Sequence, residues 1–322
     1  MTTNKKAIEV IKKSNKIAIF SHREPDPDAC GSMFGLQDLC QKMGKKADVF
    51  VCDTPADYIV NIFPFKKAKF EFHPDQYDLV IVSDLHSIER LSSIYQQKIA
   101  DFKNVLIVDH HIVGEGEKVI TKNCVIKQVA AASMIVVDLF AEVGLTPSKK
   151  GATYLYAGIM GDTDRFLHSN LTTDVFDKAA FLMKHGAAVQ EIYDSFYRKI
   201  TRKSIATQKA LYSKMRFINR GKAVYAVFTT QNLKHAKIDV EDVKALSNSL
   251  IRIDGVCLSF LIYQLPDGIF RVSMRSSVDD LVPFANKMNG GGHNFAAAFN
   301  YEGDFLSLRK NVMLWAKEIM HV

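Results

Sequence analysis

Cysteine is scarce and scattered in this chain: Cys30, Cys40, Cys52, Cys124 and Cys257 are 5 among 322 residues. Their odd number and the lack of knuckle spacing exclude a disulfide scaffold and a zinc ribbon, and reduced thiols in a cytoplasm are the expectation. Long apolar runs are missing as well. No stretch approaches the ~18 apolar residues of a membrane span, and the lysine-rich residues 1–16 read as an amphipathic helix (Ile8, Val10, Ile11) without a secretory apolar region. Internal repeats, low-complexity tracts and an arginine-rich tail are also absent. No membrane partner and no long nucleic acid are therefore expected.

What is present is a balanced globular composition, 48% hydrophobic and 24% charged, with room for two domains. Net charge is +7 and the pI near 9.0. That excess steers anions toward the chain, though ordinary surface charge accounts for it equally well.

The first half alternates short β-rich apolar runs (16–21, 46–52, 78–83 and 104–108) with helical patterns at 31–43, 88–99, 130–143 and 149–160. Nearly continuous apolar content marks strands buried on both faces, so the expectation is an α/β domain with a parallel sheet and helices on both faces. Helical patterns continue over 176–216. The rhythm then changes to a smaller α/β unit, with strands at 223–229, 256–264 and 269–274 and helices at 240–251, 279–288 and 305–320. Leu265-Pro266-Asp267-Gly268 supplies hairpin turn chemistry.

Three of the expected strands end in carboxylates or imidazoles. The first runs into His22-Arg23-Glu24-Pro25-Asp26-Pro27-Asp28, the third into Asp84, and the fourth into Asp109-His110-His111. In open α/β sheets the carboxyl edge is where ligands bind. His22, Asp26 and Asp28 are too close to stay unpaired without a counter-charge, which a divalent cation supplies. The same residues also read as a proline-bracketed acidic surface loop, with Gly31-Ser32 opening a helix. Asp162 or Asp164, set among glycines at 158–166, could complete a metal shell or merely cap a turn. Mixed imidazole and carboxylate ligands suit Mn²⁺, Fe²⁺, Co²⁺ or Zn²⁺ better than Ca²⁺. Some six donors exceed the needs of one ion, and a pair of ions can activate a bridging hydroxide for phosphoryl displacement. Near the C-terminus, Gly290-Gly291-Gly292-His293 reads as a phosphate-cradling loop before a helix, or as a flexible loop. Arg275 ends a strand and could grip phosphate, or remain a solvated arginine.

Taken together, HREPDPDACGS (22–32), SD (83–84), DHH (109–111) and GIMGDTDRF (158–166) resemble the four motifs of the DHH phosphoesterase superfamily. RSS (275–277) and GGGH (290–293) resemble its GGGH-type C-terminal domain, and the likeness covers almost the whole chain. The short two-domain form resembles the bacterial nanoRNase/pAp phosphatase group. The resemblance implies a DHH domain over 1–185, a helical linker over 186–215 and a substrate-binding domain over 216–322, with the active site in the cleft between the domains. It further implies two Mn²⁺ ions, with Co²⁺ or Mg²⁺ as substitutes. One would be held by His22, Asp26 and Asp84, the other by Asp28, Asp84, His110 and Asp162. Asp84 would bridge them, and His111 would stand by the scissile phosphate. Arg275, Ser276, Gly290, Gly291, Gly292 and His293 would bind substrate.

The activity so implied is a Mn²⁺-dependent phosphodiesterase of short oligoribonucleotides and dinucleotides (nanoRNA, pApA, cyclic di-AMP), with pAp a further candidate and homodimerisation left open. Leu85-His86, Asp164-Arg165 and Ala298-Phe299 depart from the family pattern and bear on substrate preference. An inorganic pyrophosphatase would share the N-terminal motifs, but the GGGH segment argues against it. A nucleotide-sensing module without catalysis would lack a ligand, and none is missing.

Overall fold

The computed structural model describes residues 3–51, 53, 55, 57–111, 113, 119–121, 123–167, 170–198 and 202–321, the side chains of 57, 58, 198 and 293 excepted. Cys52, which ends the expected second strand, residues 199–201 of the expected linker, and the side chain of His293 thus lie outside the described residues. Two compact units divide the chain, Met1–Lys199 and Ile200–Val322.

In the first unit the order is α1 (Asn4–Lys13), β1 (Lys16–Phe20), α2 (Pro27–Lys42), β2 (Lys46–Val49), α3 (Asp57–Val60), β3 (Leu79–Ser83), α4 (Ser93–Ala100) and β4 (Val105–Asp109). Then come β5 (Cys124–Ile126), α5 (Ala132–Glu142), α6 (Lys149–Asp162), α7 (Thr173–Lys184) and α8 (Val189–Tyr193). Among the described residues its five strands are parallel, in the order β2-β1-β3-β4-β5. Successive residues feed opposite faces. Ile17, Ile19, Ile81 and Val108 join α1, α2, α5 and α6 in one core, while Ala18, Phe20, Val82 and Ile107 join Tyr95 and Ile99 of α4 in another. Burial on both faces explains why the strands read as unbroken apolar runs.

Several expectations are corrected. The helix expected from Gly31-Ser32 begins at Pro27 instead. Asp26 caps it, its Oδ1 accepting from the amides of Asp28 and Ala29 at 2.9 Å each, and Pro27 brings a pre-set φ to the first turn. The helix expected over 149–160 runs on to Asp162, so Gly161 as well as Gly158 lies inside α6 rather than in a turn. A methyl at Gly158 would fall 2.8 Å from Asp28 Oδ1, and one at Gly161 2.7 Å from Pro27 Cβ. These glycines therefore permit α6 to lie against α2. β5 was not foreseen. The helix expected over 88–99 splits into a 3₁₀ turn, Ile88–Arg90, and α4.

The second unit runs α9 (Arg202–Lys214), β6 (Arg216–Ile218), β7 (Ala223–Phe228), α10 (Thr230–Ala236), α11 (Val240–Lys244), β8 (Leu258–Gln264) and β9 (Phe270–Ser276). It ends with α12 (Val282–Lys287), β10 (Gly291–His293), β11 (Ala296–Tyr301) and α13 (Phe305–Ile319). The sheet order is β10-β11-β9-β8-β7-β6, with β7 and β8 parallel and the other neighbours antiparallel. Trp315 of α13 packs on Phe299 of β11, ring centroids 5.2 Å apart. Two readings change here. The segment 240–251 keeps only the short α11, and no helix follows the glycine run, which is itself strand β10 paired with β11. The helix-dipole argument for phosphate at Gly290–His293 therefore falls away. Among the described residues no helix is long and apolar enough to cross a membrane.

Candidate metal centre

β2 and β3 flank β1 on opposite sides, so the chain leaves β1 at a point where the strand order reverses. A crevice opens at such a point. The segment after β1 carries His22, Asp26 and Asp28; β3 leads to Asp84; β4 leads to His110 and His111. Asp162, the last residue of α6, arrives from the side.

The structure brings all six expected metal ligands together. His22 Nε2 lies 3.5 Å from Asp84 Oδ2 and 3.9 Å from Asp26 Oδ2. His110 Nε2 lies 3.2 Å from Asp84 Oδ1, 3.3 Å from Asp162 Oδ2 and 3.8 Å from Asp28 Oδ2. Among the described residues three overlapping donor groups result, His22–Asp26–Asp84, Asp28–His110–Asp162 and Asp84–His110–His111, each compact enough to hold a cation. Asp84 turns one oxygen toward each imidazole, and its φ of 58° places it in the left-handed region that non-glycine residues seldom adopt.

Both imidazoles are aimed by backbone carbonyls. His22 Nδ1 donates to the Arg23 carbonyl at 2.8 Å, and His110 Nδ1 to that of Val129 at 3.1 Å. A carbonyl can only accept, so Nδ1 of each ring keeps its hydrogen and Nε2 is the nitrogen turned to the site, able to ligate once it gives up its proton. The carboxylates are fixed similarly. Asp26 caps α2 with one oxygen and faces His22 with the other. Asp28 accepts from the amides of Ala132 at 2.5 Å and Ser133 at 2.9 Å, so it closes the N-terminus of α5 from across the core.

The electrostatics of the cluster are those of crowded anions. Burial, reinforced by the Asp162 and Asp84 charges, holds the Asp28 carboxyl well above the usual range. The same effects push Asp26 up to about 6. With 48% of its side-chain surface accessible, Asp26 is the weaker case, while Asp28 is fully enclosed. Burial works against ionisation of Asp84 too, but close approach of His110 and His22 holds its carboxyl below the usual range. Burial lowers His110, and Asp162 and Asp84 outweigh it, pushing the ring up to about 12. His22 is raised as well, with burial outweighed by Asp84 and Asp26.

Whether cations fit is answered by the unsatisfied atoms. His22 Nε2, Asp84 Oδ1 and His110 Nε2 are buried and make no well-formed hydrogen bond among the described residues. Buried polar atoms are rarely left so. Three such atoms converging among carboxylates fit a cation, and imidazole with carboxylate is a set that first-row divalent ions accept.

His111 belongs to the periphery of this centre. Its Nδ1 comes within 3.5 Å of Asp84 Oδ1 but lies 2.8 Å from Asp109 Oδ1, and its Nε2 is 3.5 Å from Arg90 Nη1. Asp109, entirely buried, accepts from the His110 amide at 2.8 Å, the His111 amide at 3.2 Å and His86 Nδ1 at 2.5 Å. Sequence reasoning tied His86 only to substrate preference, read Asp109 only as part of the strand-end cluster, and gave Arg90 no role. The available signal was that Asp109 ends a strand buried on both faces, where a lone carboxylate must find several donors.

In the second unit, Arg275 on β9 pairs with Ala296 on β11, which pairs in turn with His293 on β10. One cross-strand row thus holds the Arg275 and His293 backbones. The Arg275 guanidinium donates to Asn248 Oδ1 at 2.7 Å, to the Met274 carbonyl at 2.8 Å and to Ser247 Oγ at 3.2 Å. Ser276 Oγ accepts from the Val278 and Asp279 amides at 3.2 and 2.7 Å and so braces the turn after β9. Gly290 is tightly packed, a methyl there falling 2.6 Å from Phe299 Cβ, while Gly291 has no neighbour within 4 Å of such a methyl.

A parallel α/β sheet that gathers this donor set at its carboxyl edge offers divalent cations a place beside a ligand crevice. Residues 16–159 match the DHH family, N-terminal domain, and the chain is a hydrolytic phosphoesterase. It is similar to a "Probable bifunctional oligoribonuclease and PAP phosphatase NrnA" of Streptococcus mutans, at 28% identity over 93% of this chain and 94% of the other. It is also similar to a "Cyclic-di-AMP phosphodiesterase GdpP" of Geobacillus thermodenitrificans, at 26% identity over 90% of this chain and 45% of that protein. Its fold is shared with the crystal structure of an exopolyphosphatase-related protein from Bacteroides fragilis, with a TM-score of 0.88, 21% identity, and 97% and 94% of the two chains covered.

Proposed function

We propose that this phosphoesterase is a Mn²⁺-dependent phosphodiesterase that hydrolyses short oligoribonucleotides and dinucleotides, among them nanoRNA, pApA and cyclic di-AMP, and pAp as well. The observation that carries the reading is the convergence of His22 Nε2, His110 Nε2 and Asp84 Oδ1, buried and unsatisfied, among four carboxylates. The names of the two relatives supply the substrate class.

In this reading His22, Asp26 and Asp84 hold one ion, and Asp28, Asp84, His110 and Asp162 the other. When bound, such a pair lowers the pKa of an attacking water and neutralises charge on the phosphoryl oxygens. The chain's own residues do the rest. Arg23 and Val129 carbonyls hold the imidazoles in the ligating tautomer. Asp109 fixes the ring of His111, whose Nε2, beside Arg90, stands at the substrate side to exchange a proton with a phosphoryl or leaving oxygen. Arg275, Ser276 and the Gly290–His293 segment are assigned to the remote part of the substrate. For Arg275 this requires the guanidinium to exchange its Asn248 and Ser247 partners, or share them, with a phosphate.

The test is a panel: purified protein with Mn²⁺ and cyclic di-AMP, pApA, pAp, a five-nucleotide RNA, a long RNA or pyrophosphate, with Asp84→Asn as control. Turnover of the short nucleotides, lost in the variant, is expected. Turnover of pyrophosphate alone, or equal activity in the variant, overturns the reading.

A further inference from the structure

We infer that the cavity beside His110 receives the nucleoside of the nucleotide being cleaved, an inference that rests on the function proposed above. The cavity measures about 610 Å³ and is bounded by residues of the first unit, His110 among them. That volume lies in the range of small-ligand pockets, roughly 300–1,000 Å³.

Its chemistry suits a base and ribose. Val129 and the buried Met134 give an apolar wall, and a thioether adapts well to the face of an aromatic ring. The exposed amide of Gln128 offers both a donor and an acceptor at the rim, as the edge of a nucleobase requires. Asp174 also stands at the rim. Its carboxylate is paired with Lys178 at 2.5 Å, so its charge is compensated beside an uncharged nucleoside.

The wall is also tied to the metal centre. The Val129 carbonyl accepts from His110 Nδ1 at 3.1 Å, and the Asn170 amide, a further lining group, donates to the Asp162 carbonyl at 3.2 Å. Both ties reach the Asp28–His110–Asp162 group. A seated nucleoside would therefore steady the segments that aim these ligands, so that base recognition reports to the chemistry as well as to affinity.

The experiment compares pApA with two dinucleotides that each lack one base, for the wild-type protein, Gln128→Ala and Gln128→Trp. Position 128 is exposed, so the indole would fill the cavity mouth without entering the core; an unchanged thermal midpoint confirms that the variants fold. Wild type is expected to favour pApA over one abasic form by roughly tenfold or more in kcat/KM, the scale on which a stacked base counts. Gln128→Trp should bring that ratio close to one, and Gln128→Ala should raise KM for pApA more than for the abasic form. Equal cleavage of all three dinucleotides by wild type, or a ratio that survives Gln128→Trp, overturns the inference while leaving the proposed function standing. Failure of wild type to cleave any nucleotide removes that function itself.

Discussion

His111 is held by Asp109: Nδ1 of the imidazole lies 2.8 Å from Oδ1 of the carboxylate. Burial opposes ionisation of Asp109, but His111 and His86 prevail and keep it below the ordinary carboxylate range. It therefore accepts. Nδ1 of His111 must carry the hydrogen, and Nε2 is the nitrogen free to meet substrate or Arg90.

Asp109→Asn should break this order. One end of an amide is a donor, and it would face either His86 Nδ1 or the donors on the other side. The expected loss is roughly 10–100-fold in kcat, as for other residues that orient a ligand sphere, with KM little changed. Steady-state kinetics on a short RNA would check it; a rise in KM at constant kcat would contradict this role.

Asp84→Asn tests the shared ligand. Asparagine tolerates a left-handed φ nearly as well as aspartate, so the backbone at 58° is preserved. The wild-type protein is expected to melt at a higher temperature with Mn²⁺; the variant should keep its circular dichroism spectrum and lose that rise. Activity should fall by more than the roughly 10–100-fold that an orienting residue costs.

Asp28→Asn should behave differently. Both Asp28 oxygens accept amide hydrogens at the start of α5, from Ala132 and Ser133. An asparagine NH₂ cannot accept, so one buried N–H loses its partner, at about 1–3 kcal/mol. Denaturant unfolding without metal should show this loss in Asp28→Asn.

Metal affinity should climb with pH. Asp28 is raised well above the carboxylate range, Asp26 to about 6 and His110 to about 12, so near neutrality the site holds protons that a cation must displace. Lowering the pH fills these positions further and weakens binding. Calorimetry of Mn²⁺ binding in buffers of different ionisation enthalpy should register proton release, with affinity greater at pH 8 than at pH 6. Absence of release would show that the donors are already bare.

Much of the centre was legible in the sequence because it follows from a simple rule. Strands buried on both faces are unmistakable apolar runs, and what terminates them stands at the carboxyl edge. His22, Asp84 and His110 could be read that way. The rest required partners that sequence cannot supply. β5 is three residues long and carries no period of its own. Gly291 and Gly292 look like a loop, yet they belong to a strand whose pairing with Ala297 and Ala298 is visible only in three dimensions. Gly161 looks like a turn beside Asp162, but it and Gly158 answer to Pro27 and Asp28 on another helix.

Those helical glycines bear on how the chain can change. A glycine within a helix costs roughly 0.5–1 kcal/mol relative to alanine, and replacing it is a familiar route to thermostability. At Gly31 an added methyl would lie 2.6 Å from the Tyr154 carbonyl and 3.0 Å from the Gly158 Cα. Mutational drift toward larger residues is therefore blocked where α2 and α6 cross, and a consensus-style stabilisation campaign would meet its hardest limit beside Asp28. The chain retains a softer pair of helices so that four carboxylates can share one small volume.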